Sequence, residues 1–83
     1  MRASPQGHYF PIGALSAKTD VNIETIRYYE RIALMPAPPR TAGRQRVYEA
    51  QHLKRLTFIR RTRELGFSVE EIRGLLQIGR AHV

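Results

Sequence analysis

Between Met35 and Gly43 the chain reads MPAPPRTAG, and no helix can cross that run. Three of the five prolines fall in it, and each fixes φ and lacks the amide an interior helical turn needs. At 83 residues the chain is expected to be one domain, so the break must be accommodated within a single core. That core is small, because a chain of this length buries only a little over ~60% of its unfolded surface on folding. The expected class is therefore mainly α: short helices on either side of an irregular connector.

Residues 1–9 mix Pro5, Gly7 and polar side chains and read as a flexible tail. Ile12–Thr19 (IGALSAKT) reads as a short helix with Ile12 and Leu15 spaced to bury. Thr19–Asn22 is a break in which Asp20 tolerates turn geometry and Asn22 suits an N-cap. Over Ile23–Ile32, Ile23 and Ile26 share one face, while Glu24, Arg27, Tyr28 and Arg31 share the opposite one at helical spacing. A short helix, a tight turn and a second helix with a basic, aromatic exposed side make a helix-turn-helix.

After the proline run, Arg44–Tyr48 (RQRVY) alternates, with Arg44, Arg46 and Tyr48 on one side, as expected for a short strand or wing. Ala50–Leu65 carries Leu53, Leu56 and Ile59 at threefold spacing and stops at Gly66. Ser68-Val69-Glu70-Glu71 has the form of a capping box opening a last helix, with Val69, Ile72, Leu75 and Leu76 as its buried stripe. Phe58 and Phe67 are expected in the core, Tyr29 partly buried and His52 at the surface. The order is helix, turn, helix, wing, helix, helix.

Charge narrows the function. Ten cations and two anions, Glu30 and Glu49, lie between Arg27 and Arg63, so this segment carries +8 of a net +7. Most of these cations are arginines, whose rigid fork suits phosphate, and Tyr28, Tyr29 and Tyr48 lie among them. With no cysteine, disulfides and thiolate chemistry are excluded, and His8, His52 and His82 are isolated. The residues show no Ser-His-Asp set, phosphate-binding glycine loop or metal constellation, so neither an enzyme nor a bound cofactor is expected. No apolar run approaches membrane-spanning length, and a cytoplasmic location is expected.

The runs T-I-R-Y-Y-E (Thr25–Glu30), R-x-Y (Arg46–Tyr48) and E-L-G-F-S-x-E-E-I (Glu64–Ile72) occur in an order and spacing that resembles the N-terminal DNA-binding domain of MerR-type bacterial transcription regulators. The resemblance covers residues 10–76 and implies a winged helix-turn-helix whose second helix enters the major groove of double-stranded DNA at a promoter. It implies that Arg27 and Tyr28 touch DNA, Tyr28 mainly on the backbone, and that Arg46 and Tyr48 of the wing grip phosphates. Glu24 and Thr25 become the positions for base-edge contacts, and Arg31 and Arg44 further phosphate partners. It also implies homodimeric regulators associated with RNA polymerase that twist and bend an overlong promoter spacer in response to an effector. The chain departs from the family at Asp20 and Ala33, where glycine is usual, at Arg44 in the wing, and at Glu49, where serine or aspartate commonly caps the third helix.

The last residues are unusual. Ile78-Gly79-Arg80-Ala81-His82-Val83 can be encoded by ATC GGA AGA GCA CAC GTC, the start of a common short-read sequencing adapter, so residues 77–83 are expected to be a non-native tail from adapter read-through. A chain lacking the family's dimerisation helix is expected to be monomeric or weakly dimeric and to bind a half-site weakly, since losing linkage between half-sites costs ~10²–10⁴ in affinity. Two other functions fit a small basic winged module: an excisionase-like DNA-bending accessory factor, and a protein-interaction module that meets an acidic partner.

Overall fold

A computed structural model describes residues 9–38 and 46–81, with the backbone alone over 78–81. The expected tail over residues 1–8, the wing tip with Arg40 and Arg44, and residues 82–83 lie outside the described residues. Among those described there are four helices: α1 Ile12–Thr19, α2 Ile23–Arg31, α3 Ala50–Glu64 and α4 Val69–Ala81. α1 lies against both α2 and α3, and α4 packs on α3.

The turn between α1 and α2 is made by Asp20 in the left-handed conformation, φ 62°, its amide donating to the Ser16 carbonyl at 2.8 Å. Aspartate reaches this region at modest cost, so it stands in for glycine here. Inside the turn, the buried Thr19 hydroxyl donates back to the Leu15 carbonyl. Asn22 then caps α2, its side-chain oxygen accepting from the Thr25 amide at 3.2 Å and the Thr25 hydroxyl at 2.9 Å. The two helices are thereby fixed at their junction by local hydrogen bonds rather than by bulk.

α2 ends at a second left-handed residue, Ala33, with φ 65°. The backbone reverses here, the Leu34 and Met35 amides donating to the Tyr29 carbonyl and both side chains entering the core. Leu15, Ile26, Leu34, Met35, Tyr48, Leu56, Ile59 and Ile72 form the buried centre, which draws on all four helices and both sides of the proline run. Among the described residues the wing is represented by its base. There Phe10 and Tyr48 form an antiparallel bridge through two backbone hydrogen bonds of 2.9 and 2.8 Å.

Gly66 terminates α3 at φ 101°, and Phe67 donates its amide to the Thr62 carbonyl. The capping box of α4 forms reciprocally: the Glu71 amide donates to Ser68 Oγ at 3.1 Å and the Ser68 amide to Glu71 Oε1 at 2.8 Å.

Three expectations about the core are corrected. Phe58 and Phe67 are exposed; Phe58 is two residues from the buried Leu56, which turns it to the far side of α3, and Phe67 sits in the turn before α4. Leu75 is exposed as well, because Val69, Ile72 and Leu76 occupy the face of α4 turned to the core and leave Leu75 on its flank. Conversely, His52 is buried at 2% exposure. Its Nδ1 accepts the Glu49 amide at 3.0 Å, and its ring stands edge-on to Tyr48.

Candidate nucleic-acid interface

The exposed side of α2 carries Glu24, Arg27, Tyr28 and Arg31, as helical spacing requires. Opposite them Ile26 and Tyr29 are buried, so the helix is held by its apolar face and displays its basic one. Tyr28 is flanked by the Arg31 guanidinium, 5.8 Å from its ring centroid, and by the Tyr29 ring at 5.9 Å. Thr25, at the start of α2, is half-buried; its hydroxyl proton is committed to the Asn22 cap, leaving its oxygen only as an acceptor.

Arg27 and Arg31 form one wall of an open cleft of about 550 Å³, completed by Glu30, Ala37 and Arg46. The cleft therefore joins the recognition-type helix to the base of the wing. Arg46 Nη1 donates to Glu30 Oε1 at 2.9 Å, and the Tyr48 hydroxyl donates to Glu30 Oε2 at 2.7 Å. Glu30 is thus engaged through both oxygens, with its side chain nearly buried.

Tyr48 does not reach the surface, which corrects the expectation that it grips phosphate from the wing. It is fully buried, and its hydroxyl points inward to Glu30. Burial first, and then the hydrogen bond and charge of Glu30, push the phenol up to about 12 from 10.0. His52, beneath it, is shifted the other way: burial lowers its pKa, against the pull of Glu49 and Glu30.

Arg46 is where the alternating wing pattern places it, half-exposed and facing the cleft. Arg44 is outside the described residues. Arg60, on α3, reaches Asp20 at 3.7 Å and Glu64 at 3.1 Å across the surface, a pairing of solvated side chains worth little to stability. Glu30 is the participant that helical patterning overlooks. Its signal in the sequence is its sign, for it is one of two anions in the segment from Arg27 to Arg63. Among the described residues no three His, Asp or Glu side chains converge as metal ligands, and no helix is long and apolar enough to cross a membrane.

Short capped helices, a wing base and a convergent basic cleft define a winged helix-turn-helix, and comparison with known proteins agrees. Residues 10–78 match the family model described as MerR HTH family regulatory protein. The chain belongs to the MerR family of helix-turn-helix regulatory proteins. It is 52% identical over 69 residues to the mercuric resistance operon regulatory protein of Bacillus cereus, covering 83% of this chain and 52% of that protein. To the HTH-type transcriptional regulator ZntR of Escherichia coli K12 it is 48% identical over 69 residues, 83% of this chain and 49% of that one. It thus spans about half the length of the curated relatives it matches.

Among solved structures, the transcription regulator PbrR691 of Ralstonia metallidurans CH34, in complex with lead(II), superposes with a TM-score of 0.80 at 42% identity, covering 87% of this chain and 56% of that one. HiNmlR, a MerR family regulator lacking the sensor domain and bound to promoter DNA, shares the fold at a TM-score of 0.81 and 18% identity, over 88% of this chain and 55% of that one.

Proposed function

We propose that this chain is the DNA-binding head of a bacterial transcription regulator and reads promoter DNA through α2 and the wing. The observation that carries this reading is the convergence of Arg27, Arg31 and Arg46 on one open cleft beside the exposed Tyr28. Three guanidiniums beside an aromatic edge suit a phosphate backbone, and α2 is a short, capped helix whose exposed side carries Arg27 and Arg31 toward the major groove. In this reading Arg27, Arg31 and Arg46 meet phosphates and Tyr28 lies against the backbone. Glu24 and the Thr25 oxygen stand nearest the base edges, and Arg44 adds a phosphate contact from the wing. Residues 10–76 are the unit that does this.

The protein of which this is the head acts in the cytoplasm as a homodimer with RNA polymerase, and it does no catalysis. What supports a regulator over an enzyme is that the relatives are named as regulators.

Fluorescence anisotropy with a mixed-sequence duplex, followed by selection from a randomised duplex pool, tests the reading. Binding should weaken steeply between about 50 and about 200 mM salt, each phosphate contact contributing about 0.9 to the logarithmic slope, and selection should enrich one half-site motif. Absence of binding, or binding indifferent to salt, overturns it.

A further inference from the structure

Glu30 places a carboxylate among the cations of the cleft, where it repels the phosphates that the cleft attracts. On charge alone the protein would bind DNA better without it. What the carboxylate contributes instead is position. Its side chain is 7% exposed, and both oxygens are occupied from the wing base, one by Arg46 and one by Tyr48. Tyr48 in turn has no freedom: it is fully buried, paired through its backbone to Phe10, and backed by the His52 ring. The carboxylate is therefore fixed from the core side by Tyr48 and from its own helix by the buried Ile26 and Tyr29.

Arg46 is different. It is a long side chain, 39% exposed, with several rotatable bonds and five N–H donors. The Glu30 bond uses one of these donors. The guanidinium also lies beside the Tyr48 hydroxyl, and it lines the cleft with Arg27 and Arg31. An unrestrained arginine must lose its rotamer freedom when it meets a phosphate, and one already held loses less.

We propose that Glu30 is a positioning residue that pins the Arg46 guanidinium beside Arg27 and Arg31, so that the three cations meet neighbouring DNA phosphates between α2 and the wing. The inference rests on the DNA-binding reading above and assigns it a residue that touches no DNA.

The test turns on sign. Binding of a mixed-sequence duplex is measured across the same salt range for the unaltered chain, Glu30→Gln, Arg46→Ala, the double variant, and Tyr48→Phe. If Glu30 were only a nearby charge, Glu30→Gln would bind more tightly and with a steeper salt slope. As a positioning residue it binds several-fold more weakly despite the added positive charge, with the slope shallower by about 0.9, the value of one phosphate contact. In the Arg46→Ala background the same substitution brings no further loss. Tyr48→Phe leaves net charge unchanged and removes one tether of the carboxylate together with a direct neighbour of the Arg46 guanidinium, so it weakens binding in the same direction; it decides the matter if Glu30→Gln does not fold. Glu30→Gln binding as tightly as the unaltered chain or more so, or Tyr48→Phe binding identically, overturns the inference while leaving the DNA-binding reading intact. Failure of the unaltered chain to bind takes both down.

Discussion

The Glu49 amide donates to His52 Nδ1 at 3.0 Å, so the first turn of α3 is closed by an imidazole that must be neutral to accept. Because burial lowers the imidazole pKa in the fold, the unfolded chain takes up a proton that the folded chain refuses. Stability is full above the ordinary value of 6.5 and falls as the pH drops below it, until the lowered folded value is reached. Urea midpoints measured from about pH 8 down to about pH 5 should decline, and His52→Gln should flatten that decline. A decline of equal slope in the variant would place its origin elsewhere.

Tyr48 gives the opposite limb. The folded chain holds the phenolic proton to about 12, while the unfolded chain releases it near 10.0. Its contribution is therefore intact below the lower value and is lost as the pH rises toward the upper one, on the order of 2 kcal/mol in all. An ultraviolet titration should show one of the four tyrosines ionising last, and Tyr48→Phe should abolish that late step. Ionisation of all tyrosines together near their ordinary value would contradict it.

Ala33 carries a Cβ at φ 65°, where glycine would carry none. Left-handed backbone costs a non-glycine residue about 1–2 kcal/mol. Ala33→Gly should therefore raise stability by about 1 kcal/mol, read as a higher thermal midpoint. Asp20→Gly should gain less, because aspartate tolerates φ 62° better than alanine tolerates its own turn. A midpoint lowered by Ala33→Gly would mean that the alanine methyl packs against something that matters more than its backbone.

Arg27→Ala and Arg31→Ala should each flatten the salt dependence of duplex binding by about 0.9 in logarithmic slope. Arg61→Ala, on the exposed side of α3 away from the cleft, should leave the slope unchanged while removing the same formal charge. Equal effects at all three positions would indicate a diffuse charge effect instead of a located interface.

Local chemistry in this chain is visible in its sequence, and long-range pairing is not. Asn22 and the Ser68–Glu71 box announce helix starts through hydrogen bonds that close within three residues, and both form as the spacing implies. The basic face of α2 follows from periodicity alone. Alternation over residues 44–48 assigns Arg46 and Tyr48 to one side of the wing, and they do share a partner on that side. Alternation cannot say that the partner is Glu30, on the far side of the proline run, or that meeting it draws Tyr48 wholly inside. His52 fails for the same reason, since the Tyr48 ring of the wing base covers it, whereas the exposure of Phe58 is legible in its place two residues from Leu56, a signal that its residue type outweighs.

The bridge between Phe10 and Tyr48 turns residues 10–48 into a closed ring of chain, fastened by two hydrogen bonds at its seam. α1 and α2 can assemble from neighbours in sequence, but the seam can form only after the proline connector has brought its ends together, so it bears the entropy of loop closure. The seam between the reading helix and the wing base is therefore expected to close after α1 and α2 have formed. In hydrogen exchange, the Phe10 and Tyr48 amides should lose protection together and before that of Ile26, as one latch. Because Tyr48 is itself a core residue, opening this latch parts the wing base from the buried centre.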